Sequence, residues 1–309
     1  MTMKSSDTFY IFDRKEWKKL NNESNITLTK EELDALRSLN DRVSMNDVEE
    51  VYLPMLQILD SYIRHYDNRQ KEKKKMLQLP VHSDPYVIGI TGSVAVGKST
   101  SARLLQTLLA RTYKDKKVSM ITTDGFLYPN QVLKRENLLN RKGFPESYDM
   151  SRLIDFMADV KKGKRKVKVP LYSHDLYDIV PNEYEIIDRP DILIVEGINV
   201  LQLPANEKIY VSDFFDFSIY LDAKPERIEK WYMQRFGLLL QTAFKEPENY
   251  YAAFADKKRK EAFDMAYNVW KTINLKNLEE NILPTRFRAD MILHKTSNHY
   301  IDQVLLRKY

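Results

Sequence analysis

The segment Tyr86-Val-Ile-Gly-Ile-Thr-Gly-Ser-Val-Ala-Val-Gly-Lys-Ser-Thr100 decides how this chain is read. It opens as an apolar run of strand character. It then passes through Gly92, Ser93, Val94, Ala95, Val96, Gly97, Lys98 and Ser99, which fit G-x-x-x-x-G-K-[ST]. Thr100 leads into Ser101-Ala-Arg-Leu-Leu-Gln-Thr-Leu-Leu109, a leucine-rich run of helical character. From average composition the motif alone arises by chance on the order of once per hundred chains of this length; strand before and helix after make chance far rarer. Glycines let backbone N–H groups converge on phosphate oxygens, and the helix N-terminus adds partial positive charge. Lys98 supplies a full charge for β- and γ-phosphates, and the Ser99 hydroxyl suits Mg²⁺.

Two further segments repeat the theme of a strand ending in an acid and a glycine. Val118-Ser-Met-Ile-Thr-Thr-Asp124-Gly125 follows one helix and a turn after the loop, and Asp191-Ile-Leu-Ile-Val-Glu196-Gly197 resembles a Walker-B strand with Glu for Asp. Two acids beside a metal-bound nucleotide divide two tasks, orienting an acceptor hydroxyl and reaching the metal. Sequence leaves open which acid does which.

Outward from this centre, strands are predicted at Tyr86–Thr91, Val118–Thr123, Ile192–Val195, Phe215–Leu221 and Met291–His294. Helices are predicted at Ser99–Thr112, Ser151–Lys161, Glu226–Leu240, Pro247–Asn274 and Tyr300–Leu306, and residues 1–80 read as helical. Alternating strands and helices imply parallel pairing with right-handed crossovers. The basic run at 161–168 reads as a solvated helix end and turn. Arg235 sits on the Glu226–Leu240 helix among Trp231, Tyr232 and Phe236, suited to charge on a transferring phosphoryl group. Tyr172, His174 and Tyr177 cluster after Pro170 and suit an acceptor pocket.

The composition narrows the classes. There is no cysteine among the 309 residues, which removes disulfides, thiolate metal sites and thiol nucleophiles, and fits a cytoplasmic protein. Glycine numbers 8, against roughly 22 at average usage. Five of them, Gly89, Gly92, Gly97, Gly125 and Gly197, are expected at strand ends facing phosphates. Net charge +5 is weak grounds for nucleic-acid binding, and no apolar run is long enough for a membrane span. The N-terminal MTMKSSDTFYIFDRKEW lacks an apolar signal core.

Longer segments sharpen the picture: Ile121-Thr-Thr-Asp-Gly-Phe-Leu127, Pro129-Asn-Gln-Val-Leu133, Lys142-Gly-Phe-Pro-Glu-Ser-Tyr-Asp-Met150, Tyr172-Ser-His174, Val211-Ser-Asp213 and Asn281-Ile-Leu-Pro-Thr-Arg286. At these residues the chain resembles the bacterial type I pantothenate kinases. The resemblance implies an α/β fold, a P-loop NTPase-type mostly parallel sheet flanked by helices. It implies one domain over 1–309, with an N-terminal helical extension at 1–80, a core at 85–309 and lid helices at about 226–275. It implies ATP-dependent phosphorylation of pantothenate with Mg²⁺, the first step of coenzyme A synthesis, in a homodimer inhibited by coenzyme A in competition with ATP. By resemblance, Lys98, Asp124 and Arg235 are catalytic, with Ser99 and Glu196 toward the metal. Tyr172, Tyr177, Tyr232 and Asn274, with Asp124, hold pantothenate. Arg103, His174 and Phe244 hold the inhibitor, and Asn40 and His299 flank adenine. Two departures stand out: Leu239 replaces an aromatic, and the chain is a few residues shorter near Gln202–Glu207. Rival readings are a uridine or ribulose 5-phosphate kinase of the same fold, a nucleotide-driven switch, for which no N-K-x-D motif is present, and a coenzyme A-binding protein without catalysis.

Overall fold

The structure is a computed structural model that describes residues 4–21, 26–39, 41–80, 84–203 and 208–309. Asn40, and most of the stretch near Gln202–Glu207, lie outside them.

The loop-bearing strand β3 (Tyr86–Gly92) is buried along its whole length. It lies in an eight-stranded sheet with β1 (Lys4–Ser5), β2 (Phe9–Asp13), β4 (Val118–Thr122), β7 (Ile192–Glu196), β8 (Phe217–Ala223), β9 (Met291–Lys295) and β10 (Ile301–Arg307), in the order β1-β2-β10-β9-β8-β3-β7-β4. The five strands from β9 to β4 are parallel. Near-continuous apolar runs such as Ile192-Leu-Ile-Val195 suit strands covered on both faces. A separate hairpin pairs β5 (Val167–Ser173) with β6 (Asp178–Ile187).

Helices cover the sheet. The Lys98–Thr112 helix buries Leu104, Leu105, Leu108 and Leu109, and Tyr52, from the long N-terminal helical stretch, meets it through a 2.7 Å hydroxyl contact with Ser101. No helix among the described residues is long and apolar enough to cross a membrane.

The structure departs from the sequence expectation at several places. Tyr300–Leu306 is not a helix: residues 301–307 form β10, paired antiparallel with both β9 and β2. A seven-residue helix gains little alone, whereas β10 gains ladders with β9 and, from Gln303 on, with β2, which suits β-branched Ile301 and Val304. The N-terminal region is not wholly helical, because aromatic-rich Phe9-Tyr-Ile-Phe-Asp13 adds a strand beside β10. The predicted Pro247–Asn274 helix is broken into shorter pieces, Ala252–Ala255 and Arg259–Val269 with a π-turn to Asn274. The basic run gives the end of a helix, a turn and then the start of β5, and three of its charges are paired, Lys161 with Asp216, Lys164 with Asp159 and Arg165 with Asp188. Gly89 lies inside β3 under Phe215 rather than at its end.

Candidate active site

Register places the chemistry at one sheet edge. Glu196, the last residue of β7, aligns with Ile90 of β3 and Thr122 of β4. The phosphate loop and the Asp124 turn (Thr123–Phe126) therefore leave the sheet on either side of Glu196. In open α/β sheets this carboxyl edge is where ligands bind.

The two acid-bearing ends approach closely. A Cβ on Gly197 would lie 2.0 Å from Thr123 Oγ1, so only glycine fits. Thr123 is fully buried and donates to Asn199 Oδ1 at 2.7 Å. At the loop's far end Gly97 caps the helix in left-handed backbone, φ +93°. That conformation turns the chain from loop to helix.

Lys98 folds back on the loop, donating to the Ser93 carbonyl at 3.0 Å with Glu196 Oε1 3.7 Å away. Ser99 donates to Glu196 Oε2 at 3.2 Å. Burial pulls the Lys98 ammonium below its usual range, opposed by Glu196 and Asp124. Burial likewise pushes the Glu196 carboxyl up, with Lys98 pulling it down and Asp124 pushing it further up. Arg235, on the Pro225–Leu239 helix, is drawn down by burial while Glu196 and Asp124 hold it charged. Lys98, Asp124, Glu196 and Arg235 thus act on one another through space as one group. Two cations and two carboxylates in a shielded site suit an anionic ligand together with a divalent metal. Ser99 and Glu196 offer hard oxygen donors, the chemistry Mg²⁺ prefers when phosphates and water complete its shell.

Beside this group stands an aromatic wall. Tyr172 meets His174 edge to face at 5.2 Å, and Tyr177 lies 5.0 Å from Tyr250 and 5.2 Å from Tyr251. Tyr232 hydrogen-bonds Asn274, packs on Trp270 and is sensed electrostatically by Tyr177. Burial lowers the His174 pKa, with Asp124 opposing and Arg235 assisting. Asn249 ties its segment to this wall, donating through Nδ2 to Asp175 Oδ1 at 3.1 Å.

The remaining predicted residues have other surroundings. Arg103 clasps the N-terminal segment, donating to the Leu36 carbonyl and to Ser38 Oγ, each at 2.9 Å. Thr100 Oγ1 accepts from Ser38 N–H at 2.9 Å. Phe244 is packed with Phe236, Phe254 and Tyr251, and Leu239 borders the same cluster. His299 is buried and stacked on Trp231 at 4.0 Å, with Asp41 Oδ1 3.4 Å from its Nδ1.

Sequence reasoning missed several members of the site. Lys142 Nζ donates to Asn130 Oδ1 at 2.8 Å and sits 4.0 Å above the Tyr177 ring. Burial draws its pKa down to about 8, with Asp178 and Asp124 opposing. Tyr148 is buried and senses Asp124, Tyr172 and Glu196. Lys142 and Tyr148 lie in Lys142–Met150 and Asn130 in Pro129–Leu133, both singled out by resemblance. That was the only signal for them, since no local spacing marks them.

The comparisons agree with this geometry. Residues 87–235 match the Phosphoribulokinase / Uridine kinase family. A D-glycerate 3-kinase from Cryptococcus neoformans shares the fold, with a TM-score of 0.53 at 15% identity over 80% of this chain and 97% of that one. Pantothenate kinase from Enterococcus faecalis is 58% identical over 97% of this chain and 98% of its own length. That of Ligilactobacillus salivarius is 56% identical over 99% and 100%. With more than half its residues shared along nearly its whole length, and a phosphate loop at the centre of its sheet, the chain belongs to the pantothenate kinase family of P-loop kinases.

Proposed function

We propose that the chain phosphorylates pantothenate to 4'-phosphopantothenate at the expense of ATP, in the cytoplasm, as a homodimer whose protomers are single domains over 1–309. Coenzyme A inhibits it in competition with ATP. The observation that carries this reading is the full-length likeness to pantothenate kinases, which spans the phosphate loop and the tyrosine wall alike.

The loop's N–H groups and Lys98 hold the phosphates. Ser99 and Glu196 are the residues that would hold Mg²⁺, directly or through water, and the metal when bound shields charge on the phosphates. Asp124, close enough to Tyr148, Tyr172 and His174 to act on them electrostatically, orients the pantothenate hydroxyl and accepts its proton late. Tyr172, Tyr177, Tyr232 and Asn274 hold the acceptor. Lys98 and Arg235 stabilise charge on the phosphoryl oxygens in flight. Because the transition state is loose, position and electrostatics outweigh base strength. Arg103, His174 and Phe244 receive the inhibitor, and Asn40 and His299 the adenine.

ADP release with pantothenate, uridine and ribulose 5-phosphate tests this directly. Release with pantothenate alone, suppressed by added coenzyme A and relieved by more ATP, is expected. The match to the Phosphoribulokinase / Uridine kinase family favours the other two acceptors as the second reading, and release with either would replace the first.

A further inference from the structure

Strand β9 ends on a buried cation that the proposed reaction does not use. The Lys295 side chain is 0% exposed, and its ammonium donates to the Val96 carbonyl at 2.9 Å. Asp41 Oδ1 lies 4.0 Å from that ammonium, and the Asp41 side chain is 2% exposed. Both groups crowd the same point of the loop. A Cβ on Gly97 would lie 2.4 Å from Asp41 Oδ2 and 2.8 Å from Lys295 Nζ.

The peptide between Val96 and Gly97 is trans, like every peptide described. A trans peptide points its C=O and N–H in opposite directions. Holding the Val96 carbonyl toward Lys295 therefore aims the Gly97 N–H the other way. A buried ion pair adds little net stability over an apolar pair of the same volume. What a cation does here, and a methionine cannot, is fix the direction of a carbonyl.

We infer that Lys295 and Asp41 are positioning residues for the phosphate loop. Lys295 holds the Val96 carbonyl so that the Gly97 N–H is preset toward a phosphate oxygen, and Asp41 keeps the buried ammonium in place. The inference rests on residues 92–99 being a nucleotide phosphate site; it is independent of the acceptor. It places part of the control over the loop's shape in two segments outside the motif, one near each end of the chain.

The test is calorimetric titration of the full-length protein with ADP in magnesium buffer, beside the KM for the acceptor and the melting temperature. Lys295→Met is expected to weaken ADP binding by roughly ten- to hundredfold, the worth of one charge-assisted hydrogen bond, with the acceptor KM unchanged. Lys295→Met removes the buried cation beside Asp41 and lowers the melting temperature. The double variant Asp41→Asn/Lys295→Met removes both charges, so it regains melting temperature while ADP binding stays weak. That split separates positioning from mere structural support, and it is readable even where Lys295→Met alone fails to fold. ADP binding by the double variant within twofold of the natural protein would overturn the inference, as would recovery of affinity in step with stability. Failure of the natural protein to bind ADP would overturn the nucleotide reading itself and this inference with it. A change of acceptor would leave the inference standing.

Discussion

Gly197→Ala tests how tightly the two acid-bearing strand ends are spaced. The new Cβ would meet Thr123 Oγ1 at 2.0 Å and Thr123 Cβ and Cγ2 at 2.9 Å each. Thr123 cannot swing away, because it is fully buried and hydrogen-bonded to Asn199. The backbone must part instead, and overpacking of this kind costs about 1–3 kcal/mol. At about 2.1 cal/mol/K of unfolding entropy per residue, the 309 residues give about 650 cal/mol/K, so the melting temperature should fall by roughly 2–5 °C. The larger effect is on catalysis. Thr123 precedes Asp124 and Gly197 follows Glu196, so parting the ends by as much as ~1 Å displaces one acid against the other and costs up to about a hundredfold in kcat. Gly163→Ala is the control. Nothing lies within 4 Å of its Cβ, but its φ of +69° makes alanine strained, so it loses stability without touching the site. The assay is ADP release at saturating substrates, with melting curves alongside. A Gly197→Ala protein with kcat within twofold of the natural one would refute the argument from close approach.

Asp124→Asn and Arg235→Ala should each lower kcat by roughly 10²–10³ with little change in melting temperature; near-normal turnover in either would remove that residue from the mechanism. Arg103→Ala should weaken coenzyme A inhibition more than it raises the ATP KM, whereas equal losses would mean that its clasp on Leu36 and Ser38 is what matters to both. Glu196→Gln should raise the Mg²⁺ concentration needed for half-maximal rate, read by titrating the metal at fixed ATP; an unchanged requirement would dissociate Glu196 from the metal. The His299 pKa is pushed down to about 4, first by burial and then by Lys295 and Arg42, against Asp41. Between that value and the ordinary ~6.5 the unfolded chain takes up a proton that the folded chain refuses. The stability this group contributes is therefore full above about pH 6.5 and is lost as pH falls toward 4. Urea unfolding at pH 7, 6 and 5 should show that slope, flattened in His299→Gln, and an equal slope in both proteins would contradict it.

The parallel core was legible because its strands are short apolar runs, most of which end in acids or glycine, a pattern carried by neighbours in sequence. Residues 301–307 were not, because Ile-Asp-Gln-Val-Leu-Leu-Arg has no strict period and its strand exists only through β9 and β2. The hairpin β5–β6 escaped because its turn is His174-Asp-Leu-Tyr177, whose residues read as chemistry rather than as a turn, and six successive residues of β6 are exposed. Within the site, Lys98, Asp124, Glu196 and Arg235 could each be named from a local pattern, and they do face one another. Asn130, Lys142, Tyr148, Tyr250 and Asn249 carry no such pattern; they meet through packing between segments far apart in the chain. Leu36 and Ser38 likewise reach Arg103 only because the N-terminal segment folds back over the loop helix.

The strand order also governs when the site can exist. Strand β3 is synthesised early, yet its two neighbours β7 and β8 come about a hundred residues or more later, and β2 waits for β10 at residues 303–307. Contacts this distant close large loops and form slowly. Until a ribosome has added residues 192–223, the phosphate loop lacks the strands that flank it on both sides. Over that interval the apolar β3 is open to wrong partners. The loop's frame closes only once more than a hundred further residues have been made.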